Sequence, residues 1–543
     1  MMKKQTNVKE QSHETNMILS KNLKISWNTR HTHLGSMNTL VIGGTGEGKS
    51  RGFVKPNLYS LPVDPKTGKA HSFVITDPKG ELCRDTAGFL AANGYEIKIL
   101  NVLDQYYSDC YNPFRYIRSP ESLLIMVDSI VDNANGGLQP KDPHWSNSAK
   151  NLLNSICYAV YYEFSFRDQN FSTVSKLLNK CGSAENNDAY KSDYDLFIDE
   201  LEENSEYGCE HPAVVWRKKV SAKGSEMSSI ISTAQTAVRL FASKNIQRIT
   251  DVDTIAMDEV GDRPTALYMI IPTTNRTYDF LISLMYTQLF ESLYYRAQNV
   301  YNGSLPHHVT FFQDEFATTG KVPDFDKKIA TFRSTNISSC IIIQSPAQLE
   351  NVYDKASISI IDNIHIYVFL GSGGIGEKSA SKWMQDALGQ KTVLVEQSST
   401  HDSKTSGMFV SNSKNIEHSY SPTERPLLYA DEIFRLSPDR CIIMIKSHKP
   451  ILDYKVDLDT CMNYSLDMYT EKTNDGRILK SEYIWPTNDK NPDNPARRRT
   501  PDSYKKGLDN ASVIDLIQHK QREEERIEDE KYRFYEEDEK NFY

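Results

Sequence analysis

A glycine-rich stretch near the start of the chain has the residue types and spacing of a phosphate-binding loop. Gly43, four intervening residues, Gly48, Lys49 and Ser50 fit the Walker A pattern. Glycines allow backbone N–H groups to curl around phosphates, the lysine adds a positive charge, and the serine hydroxyl can bind Mg²⁺. The candidate nucleotide-binding residues are Gly43, Gly44, Thr45, Gly46, Glu47, Gly48, Lys49, Ser50 and Arg51.

A second candidate motif supplies carboxylates. Residues 309–312 are mostly apolar and predict a buried strand, and Asp314 and Glu315 follow where that strand ends. Ligands bind at the carboxyl ends of strands in open α/β sheets. Asp314 is therefore a candidate Mg²⁺ ligand, and Glu315 a candidate general base that polarises an attacking water. An apolar run before two acids is a weak signal alone, but together with the glycine loop it becomes specific.

A polar residue at the end of another predicted strand is the third candidate. Gln344 follows the apolar residues 340–343, and we expect this strand beside the one that ends at Asp314. An amide in this place can contact a γ-phosphate and respond to its hydrolysis. The alternative is an ordinary polar residue at a strand end.

Residues 371–376 match a different phosphate-binding pattern, G-x-G-x-x-G, after a predicted strand and before a predicted helix. That pattern is typical of dinucleotide-binding sites. A lone match is a weak signal, and the chain already contains a Walker loop. We therefore interpret these residues as a strand-to-helix turn.

The elements that must position these residues follow an α/β pattern. Strands and helices alternate over the first hundred residues, and strand patterns return after residue 249. Between them, residues 120–248 show helical apolar spacing and almost no strand signal. The expected organisation is a disordered N-terminus (1–20), a nucleotide-binding domain (21–119 and 249–455), an inserted all-α domain (120–248), and a C-terminal linker with an acidic tail (456–543).

Three local features are also predicted. Pro56 is expected to end the helix after the glycine loop early, because proline disrupts helix interiors. Residues 396–424 are rich in Ser, Thr, Asn, Lys and Gly and predict a flexible loop. Residues 511–540 could form one polar helix.

The composition limits the class of protein. A length of 543 residues predicts two or three domains, and 39% hydrophobic residues are enough for a real core. No run of 18 apolar residues and no apolar signal segment occurs, so no transmembrane helix is predicted. The eight cysteines lack metal-binding spacing, which is typical of reduced thiols in a cytoplasm. Much of the net charge of −9 lies in the tail, which leaves room for a local basic channel elsewhere.

Several segments together resemble the TraG/TraD-type coupling proteins of type IV secretion and conjugation, in the same order along residues 23–455. This family belongs to a wider group of ring-shaped ATPases that includes the FtsK and HerA translocases. Residues 77–82, Asp-Pro-Lys-Gly-Glu-Leu, are more specific than the Walker loop. The other matching segments are 41–58, 111–114, 144–145, 232–234, 313–316, 333–336, 344–349 and 425–428.

The resemblance implies a RecA-like P-loop domain with an inserted all-α domain and a partly disordered acidic tail. It also implies ATP and Mg²⁺ as cofactors, a homo-hexamer, and the task of bringing a relaxase–DNA complex to a secretion channel and helping to pump the DNA. Lys49, Glu315 and Gln344 would act in hydrolysis. Arg333 matches the family's trans-acting arginine, which reaches a neighbour's phosphate, whereas a lone arginine is more often a solvated surface residue.

One departure from the family concerns the membrane. Most members begin with transmembrane helices, and this sequence reaches its Walker loop at residue 43 without one. We therefore expect a separate small membrane protein to supply the anchor. The expected location is the cytoplasm, with peripheral recruitment to the inner face of the cell membrane and to channel components.

Two other functions remain open from the sequence. One is an FtsK/HerA-like double-stranded DNA translocase of the chromosome-partition or packaging kind. The other is a non-catalytic adaptor that binds substrate proteins through the helical domain and acidic tail. The tail could recruit basic relaxase or relaxosome proteins, or it could only solubilise the chain. DNA contacts are expected to be mostly with phosphates and weakly sequence-specific.

Overall fold

The structure, a computed structural model, describes residues 16–28, 33–134, 143–184, 190–272, 277–371, 374–404 and 412–458. The strands, in chain order, are β1 (Asn16–Ile18), β2 (Lys24–Ser26), β3 (Thr39–Gly43), β4 (Ser72–Asp77), β5 (Glu96–Asn101), β6 (Thr265–Ile270), β7 (Val309–Gln313), β8 (Ile337–Ile343), β9 (Ile366–Gly371), β10 (Gln390–Lys404), β11 (Asn412–Pro426), β12 (Arg440–Ile445) and β13 (Ile451–Tyr454).

A π-helical turn, Ser50–Val54, precedes the first α-helix. The α-helices, in chain order, are α1 (Lys55–Tyr59), α2 (Glu81–Ala92), α3 (Pro120–Ala134), α4 (Pro143–Glu163), α5 (Phe171–Leu178), α6 (Asp193–Asn204), α7 (Pro212–Lys218), α8 (Gly224–Val238), α9 (Lys244–Thr250), α10 (Asp279–Asn299), α11 (Phe325–Thr335), α12 (Pro346–Tyr353), α13 (Ala356–Asp362), α14 (Ala380–Leu388) and α15 (Ala430–Phe434).

One large sheet organises the molecule. Within the described residues it contains nine strands in the order β13-β12-β9-β3-β8-β7-β4-β6-β5. The strands from β9 to β5 in this order are parallel, whereas β12 pairs antiparallel with both β9 and β13. The carboxyl ends of β3, β8, β7 and β4 therefore meet at one edge, which is where open α/β sheets bind ligands.

Helices cover both faces of the sheet, which explains why its central strands are buried along their whole length. Successive residues of a strand point to opposite faces. In β3, Leu40 and Ile42 belong to one core and Val41 belongs to the other. Helix α10 packs on the first face, and α1 and α2 pack on the second.

The segment 120–248 is helical, as its apolar spacing predicts. Its described residues form α3 to α9, with short 3₁₀ turns and no strand. Buried side chains at helical spacing, such as Leu123, Val127 and Ile130, join its core to the first face of the sheet. The limits of the domains themselves stay a prediction.

The structure differs from two predictions near the N-terminus. Residues 16–20 were expected within a disordered segment, but β1 pairs with β2 and Met17 is fully buried. Pro56 does not end its helix, because it stands at the start of α1, where a missing N–H costs nothing. The π-turn leads directly into this helix, which continues to Tyr59.

The prediction of a flexible loop over 396–424 was wrong for residues 396–404 and 412–424, and residues 405–411 lie outside the described residues. Strands β10 and β11 pair antiparallel from Gln390 with Pro426 to Lys404 with Asn412. Polar composition misled here, because the backbone hydrogen bonds that pair the two strands of a ribbon do not require apolar alternation. The predicted tail helix at 511–540 lies outside the described residues. No helix of the described part of the chain is long and apolar enough to span a bilayer.

Candidate active site

The glycine loop lies between β3 and the π-turn, at the sheet edge where the carboxyl ends of the strands meet. Gly46 and Gly48 have φ of +85° and +84°, a conformation that L side chains rarely adopt. Lys49 is buried, and its Nζ donates to the carbonyl oxygens of Gly43 at 3.0 Å and Gly44 at 3.3 Å. Thr45 and Arg51 are exposed. The loop therefore places a buried ammonium beside glycines in left-handed conformations.

The predicted Mg²⁺ ligands are brought together from two strands. Ser50 follows β3 and Asp314 follows β7, and the serine Oγ donates to Asp314 Oδ2 at 3.3 Å. Burial, and to a smaller extent the neighbouring Glu315, raise the pKa of Asp314 to about 6, while Lys49 opposes the shift. A hydroxyl and a carboxylate are the oxygen ligands that Mg²⁺ prefers, and a buried carboxylate is stabilised by a cation. These residues therefore fit a magnesium ion.

Gln344 contacts the candidate base directly. Strand β8 pairs with β7, as expected, so the strand ends carrying Gln344 and Glu315 are neighbours. The Gln344 Nε2 donates to both carboxylate oxygens of Glu315, at 3.1 and 3.3 Å, and Lys49 Nζ lies 3.6 Å from Glu315 Oε1. Glu315 has φ of +54°, an uncommon conformation for a residue other than glycine. Such backbone strain is found at functional sites.

Gln344 is itself positioned by a residue that the sequence did not single out. Its backbone N–H donates to Gln348 Oε1 at 2.9 Å, one turn into α12. Both amides lie in the segment 344–349, whose Gln-Ser-Pro-Ala-Gln spacing places the second amide over the first N–H. This spacing could have identified Gln348 as a residue that orients the strand end.

Asp77, in the family-specific segment, caps a helix. It ends β4, next to β7, and its carboxylate accepts the backbone N–H groups of Lys79, Glu81 and Cys83 at 3.4, 3.1 and 2.7 Å. Gly80 makes the turn possible with φ of +68°. Burial raises the pKa of Asp77 to about 6 although these N–H groups oppose the shift. Its proximity also contributes to the raised pKa of Asp314.

Arg333 lies at the opposite end of the strands from the phosphate loop, where β8 begins. It is exposed near the end of α11, just before β8 begins, and it lines a cavity of about 30 Å³ together with Trp27 and His308. From there the seven residues of β8 run to the phosphate loop, which is about 20 Å at 3.3 Å per residue. Arg333 is therefore beyond the reach of the phosphate loop of its own chain.

The second glycine pattern has a packing explanation. Gly371 ends β9 beside the Walker loop, with φ of +145°, and its carbonyl accepts the N–H of Gly44 at 3.3 Å. A Cβ there would lie 2.4 Å from Glu47 Oε2. Only glycine adopts this φ readily, and the Glu47 carboxylate occupies the space that a side chain would take. Strand β9 ends at Gly371 and α14 begins at Ala380, but residues 372 and 373 lie outside the described residues, so the interpretation as a turn stays a prediction.

Comparison with known proteins places this chain in a family. A family model described as Type IV secretory system Conjugative DNA transfer matches residues 1–470. The chain is 24% identical over 422 residues to the conjugal transfer protein TraG of Escherichia coli, covering 74% of this chain and 62% of that protein. It is 21% identical over 442 residues to VirD4 of Agrobacterium fabrum (strain C58 / ATCC 33970), covering 77% and 58%. The chain thus spans about six-tenths of the length of these relatives.

Solved structures show the same fold. The bacterial conjugative coupling protein TrwBdeltaN70, in its unbound monoclinic form, superposes with a TM-score of 0.56 at 14% identity, over 82% of this chain and 89% of that one. TrwB in complex with the ATP analogue ADPNP gives a TM-score of 0.55 at 15% identity, over 82% and 90%. The predicted RecA-like P-loop fold with an all-α domain and the resemblance to TraG/TraD-type coupling proteins are confirmed. The chain belongs to the type IV secretory system conjugative DNA transfer family.

Proposed function

We propose that this chain is the coupling ATPase of a conjugative type IV secretion system. It binds ATP with Mg²⁺, hydrolyses it, and uses the energy to recruit a relaxase–DNA complex and drive DNA transfer. The observation that carries the proposal is the convergence of Lys49, Ser50, Asp314, Glu315 and Gln344 at one edge of the sheet. A non-catalytic adaptor would have no need of this arrangement.

Each residue of the site has a task that its position supports. Lys49 and the N–H groups of the glycine loop bind the phosphates, and the helix that follows adds its positive end. Ser50 and Asp314 hold Mg²⁺, which neutralises charge on the β- and γ-phosphates when bound. Glu315 orients water and accepts its proton. Gln344, already bonded to that carboxylate, couples the base to the γ-phosphate.

The remaining parts of the proposal rest on the family. A solved TrwB structure holds ADP and Mg²⁺, which supports the same cofactors here. The active form is a homo-hexamer recruited to the inner membrane face beside channel components. Relaxase and relaxosome proteins deliver the DNA, which the chain contacts mainly through phosphates.

ATP hydrolysis with and without DNA tests the proposal. The wild type should hydrolyse ATP, and DNA should stimulate it in a salt-dependent way, because phosphate contacts are lost as salt rises. Lys49→Ala should lower the rate by about 10²-fold or more, because a charge that stabilises the transition state is lost. The control is Lys449→Ala, an exposed lysine between β12 and β13 that should leave the rate unchanged.

Three outcomes of that assay would count against the proposal. Activity that survives in Lys49→Ala would refute the phosphate-loop assignment. A wild type without ATPase activity, with DNA and relaxase present, would favour the adaptor. Stimulation by double-stranded DNA together with no binding of relaxase would favour the FtsK/HerA-like translocase.

A mixing experiment tests whether Arg333 acts on a neighbouring subunit. Because Arg333 lies at the far edge of its own sheet, we expect Arg333→Ala to lower hydrolysis by about 10³-fold, as for other trans-acting arginines. Mixing Arg333→Ala with Lys49→Ala subunits should restore part of the activity, since each variant supplies what the other lacks. Arg435→Ala, an exposed arginine, is the control. Absence of recovery in mixed hexamers would contradict action in trans.

A further inference from the structure

The last described segment of the chain lies against the phosphate loop. Lys455 follows β13, and its Nζ donates to the backbone carbonyl of Glu47 at 3.0 Å and to Glu47 Oε2 at 2.9 Å. Only 13% of the Lys455 side chain and 31% of the Glu47 side chain are exposed. This contact joins residues 408 positions apart in sequence. It holds the middle of the phosphate loop by a residue that does not belong to the loop.

The backbone of Lys455 is held by hydrogen bonds to neighbouring elements. Its own N–H donates to the Asp439 carbonyl at 2.7 Å, and β13 pairs with β12. On the other side, Asp453 accepts hydrogen bonds from Ser20 and Asn22, which hold its pKa below the usual range although burial opposes this. The ammonium is therefore presented from an ordered backbone that both the sheet and the N-terminal hairpin support.

The geometry of the peptide bond links this contact to phosphate binding. A trans peptide is planar, so the N–H of residue 48 points opposite to the C=O of residue 47. Because Lys455 binds the Glu47 carbonyl, the Gly48 N–H points away from Lys455. In a Walker A loop such N–H groups bind the phosphates while the carbonyls face outward.

The loop needs such an anchor. Four of its eight residues are glycines, and Gly46 and Gly48 adopt left-handed conformations. Glycines lose the most conformational freedom on ordering, so a free loop would pay this cost whenever phosphates bind. A charged hydrogen bond that fixes one peptide plane in advance reduces the cost.

We propose that Lys455 is a positioning residue of the phosphate site, which holds the Glu47–Gly48 peptide so that the Gly48 N–H faces the nucleotide phosphates. It rests on the nucleotide binding of the proposed function. Glu47 acts as the second partner of the ammonium, and its carboxylate lies where Gly371 leaves room for it. The residue thereby connects the last described residues of the chain to the nucleotide site.

Nucleotide affinity and amide exchange of full-length variants test this inference. Lys455→Met should weaken binding of a fluorescent ATP analogue with Mg²⁺ by about tenfold, the value of a charge-assisted hydrogen bond. It should raise KM with kcat within about twofold, because Lys455 does not act on the transition state alone. Lys455→Arg should restore affinity since it keeps N–H donors. Lys449→Met, on the same hairpin, is the matched control.

Hydrogen exchange provides a readout that does not depend on nucleotide. In the protein without nucleotide, the amides of Gly48 and Lys49 should exchange faster in Lys455→Met than in wild type, while those of β7 and β8 should not change. Unchanged affinity and unchanged loop exchange in Lys455→Met would overturn the inference. If the wild type bound no nucleotide, the proposed function would fail, and the exchange data would still decide whether Lys455 orders the loop.

A second variant tests the inference if Lys455→Met does not fold. Should Lys455→Met not fold, Glu47→Gln removes the charged partner and leaves the carbonyl in place. We expect about threefold weaker binding and partly faster exchange at Gly48. Wild-type values for both measurements would overturn the inference.

Discussion

Replacing Glu315 by glutamine is expected to lower ATP hydrolysis by about 10²- to 10⁴-fold, while nucleotide affinity stays within a few-fold of wild type. The reason is that an amide cannot accept the proton of the attacking water, although it keeps nearly the same shape. Glu315 is also the residue that Gln344 and Lys49 approach together. Hydrolysis and binding of an ATP analogue should be measured on the same preparation.

The control for Glu315→Gln is Glu350→Gln, an exposed carboxylate on α12. It should leave both quantities unchanged. A hydrolysis rate within tenfold of wild type in Glu315→Gln would remove Glu315 from the role of general base. A large loss of affinity instead would assign it to binding.

Replacing Asp314 by asparagine is expected to abolish Mg²⁺-dependent hydrolysis and yet stabilise the protein without nucleotide at neutral pH. Burial raises the pKa of Asp314 from 3.8 to about 6, so ionising it costs more in the folded than in the unfolded chain. At about 1.4 kcal/mol per unit, the two-unit shift sets an upper limit of about 3 kcal/mol. Asparagine avoids this cost and still accepts from Ser50.

The pH dependence gives this prediction its sign. The raised pKa means that the folded state binds more protons between pH 3.8 and about 6, so the wild type loses stability as pH rises through that window. The stability difference between Asp314→Asn and wild type should therefore be largest near pH 7 and shrink towards pH 4. Unfolding by denaturant at several pH values measures it.

Asp362→Asn, an exposed carboxyl at the end of α13, should show no such dependence. Equal stability of Asp314→Asn and wild type at pH 7 would show that Asp314 carries no burial cost. A buried charged group that lowers the stability of the folded protein but is needed for activity is typical of active sites.

Much of the site follows from local sequence. The glycine spacing, the acids after residues 309–312 and Gln344 after residues 340–343 each stand at the end of a strand. Parallel strands bring such ends to one edge whatever their order along the chain, so the grouping could be expected before the neighbours were known. The structure adds that β8 lies between β3 and β7, which is why Gln344 contacts Glu315.

Other features were predicted wrongly because local composition does not determine them. The ribbon β10–β11 is polar, and its strands are defined by pairing across the hairpin rather than by burial. Strand β1 follows a polar stretch of sequence, but Met17 and the adjacent Leu19 belong to the core on the second face of the sheet. The prediction that Pro56 ends its helix assumed a position inside the helix, whereas Pro56 stands at the beginning of α1.

The sequence by itself determined where the phosphate loop lies, which carboxylates follow the strand at 309–313, and which family the chain resembles. Each of these depends on short motifs whose residues are close together along the chain. Only the tertiary structure decided three things: that Arg333 lies far from its own phosphate loop, that Gly371 makes room for Glu47, and that Lys455 binds the loop. These three features depend on which distant segments come together when the chain folds. A contact between residues 408 positions apart leaves no local sequence pattern.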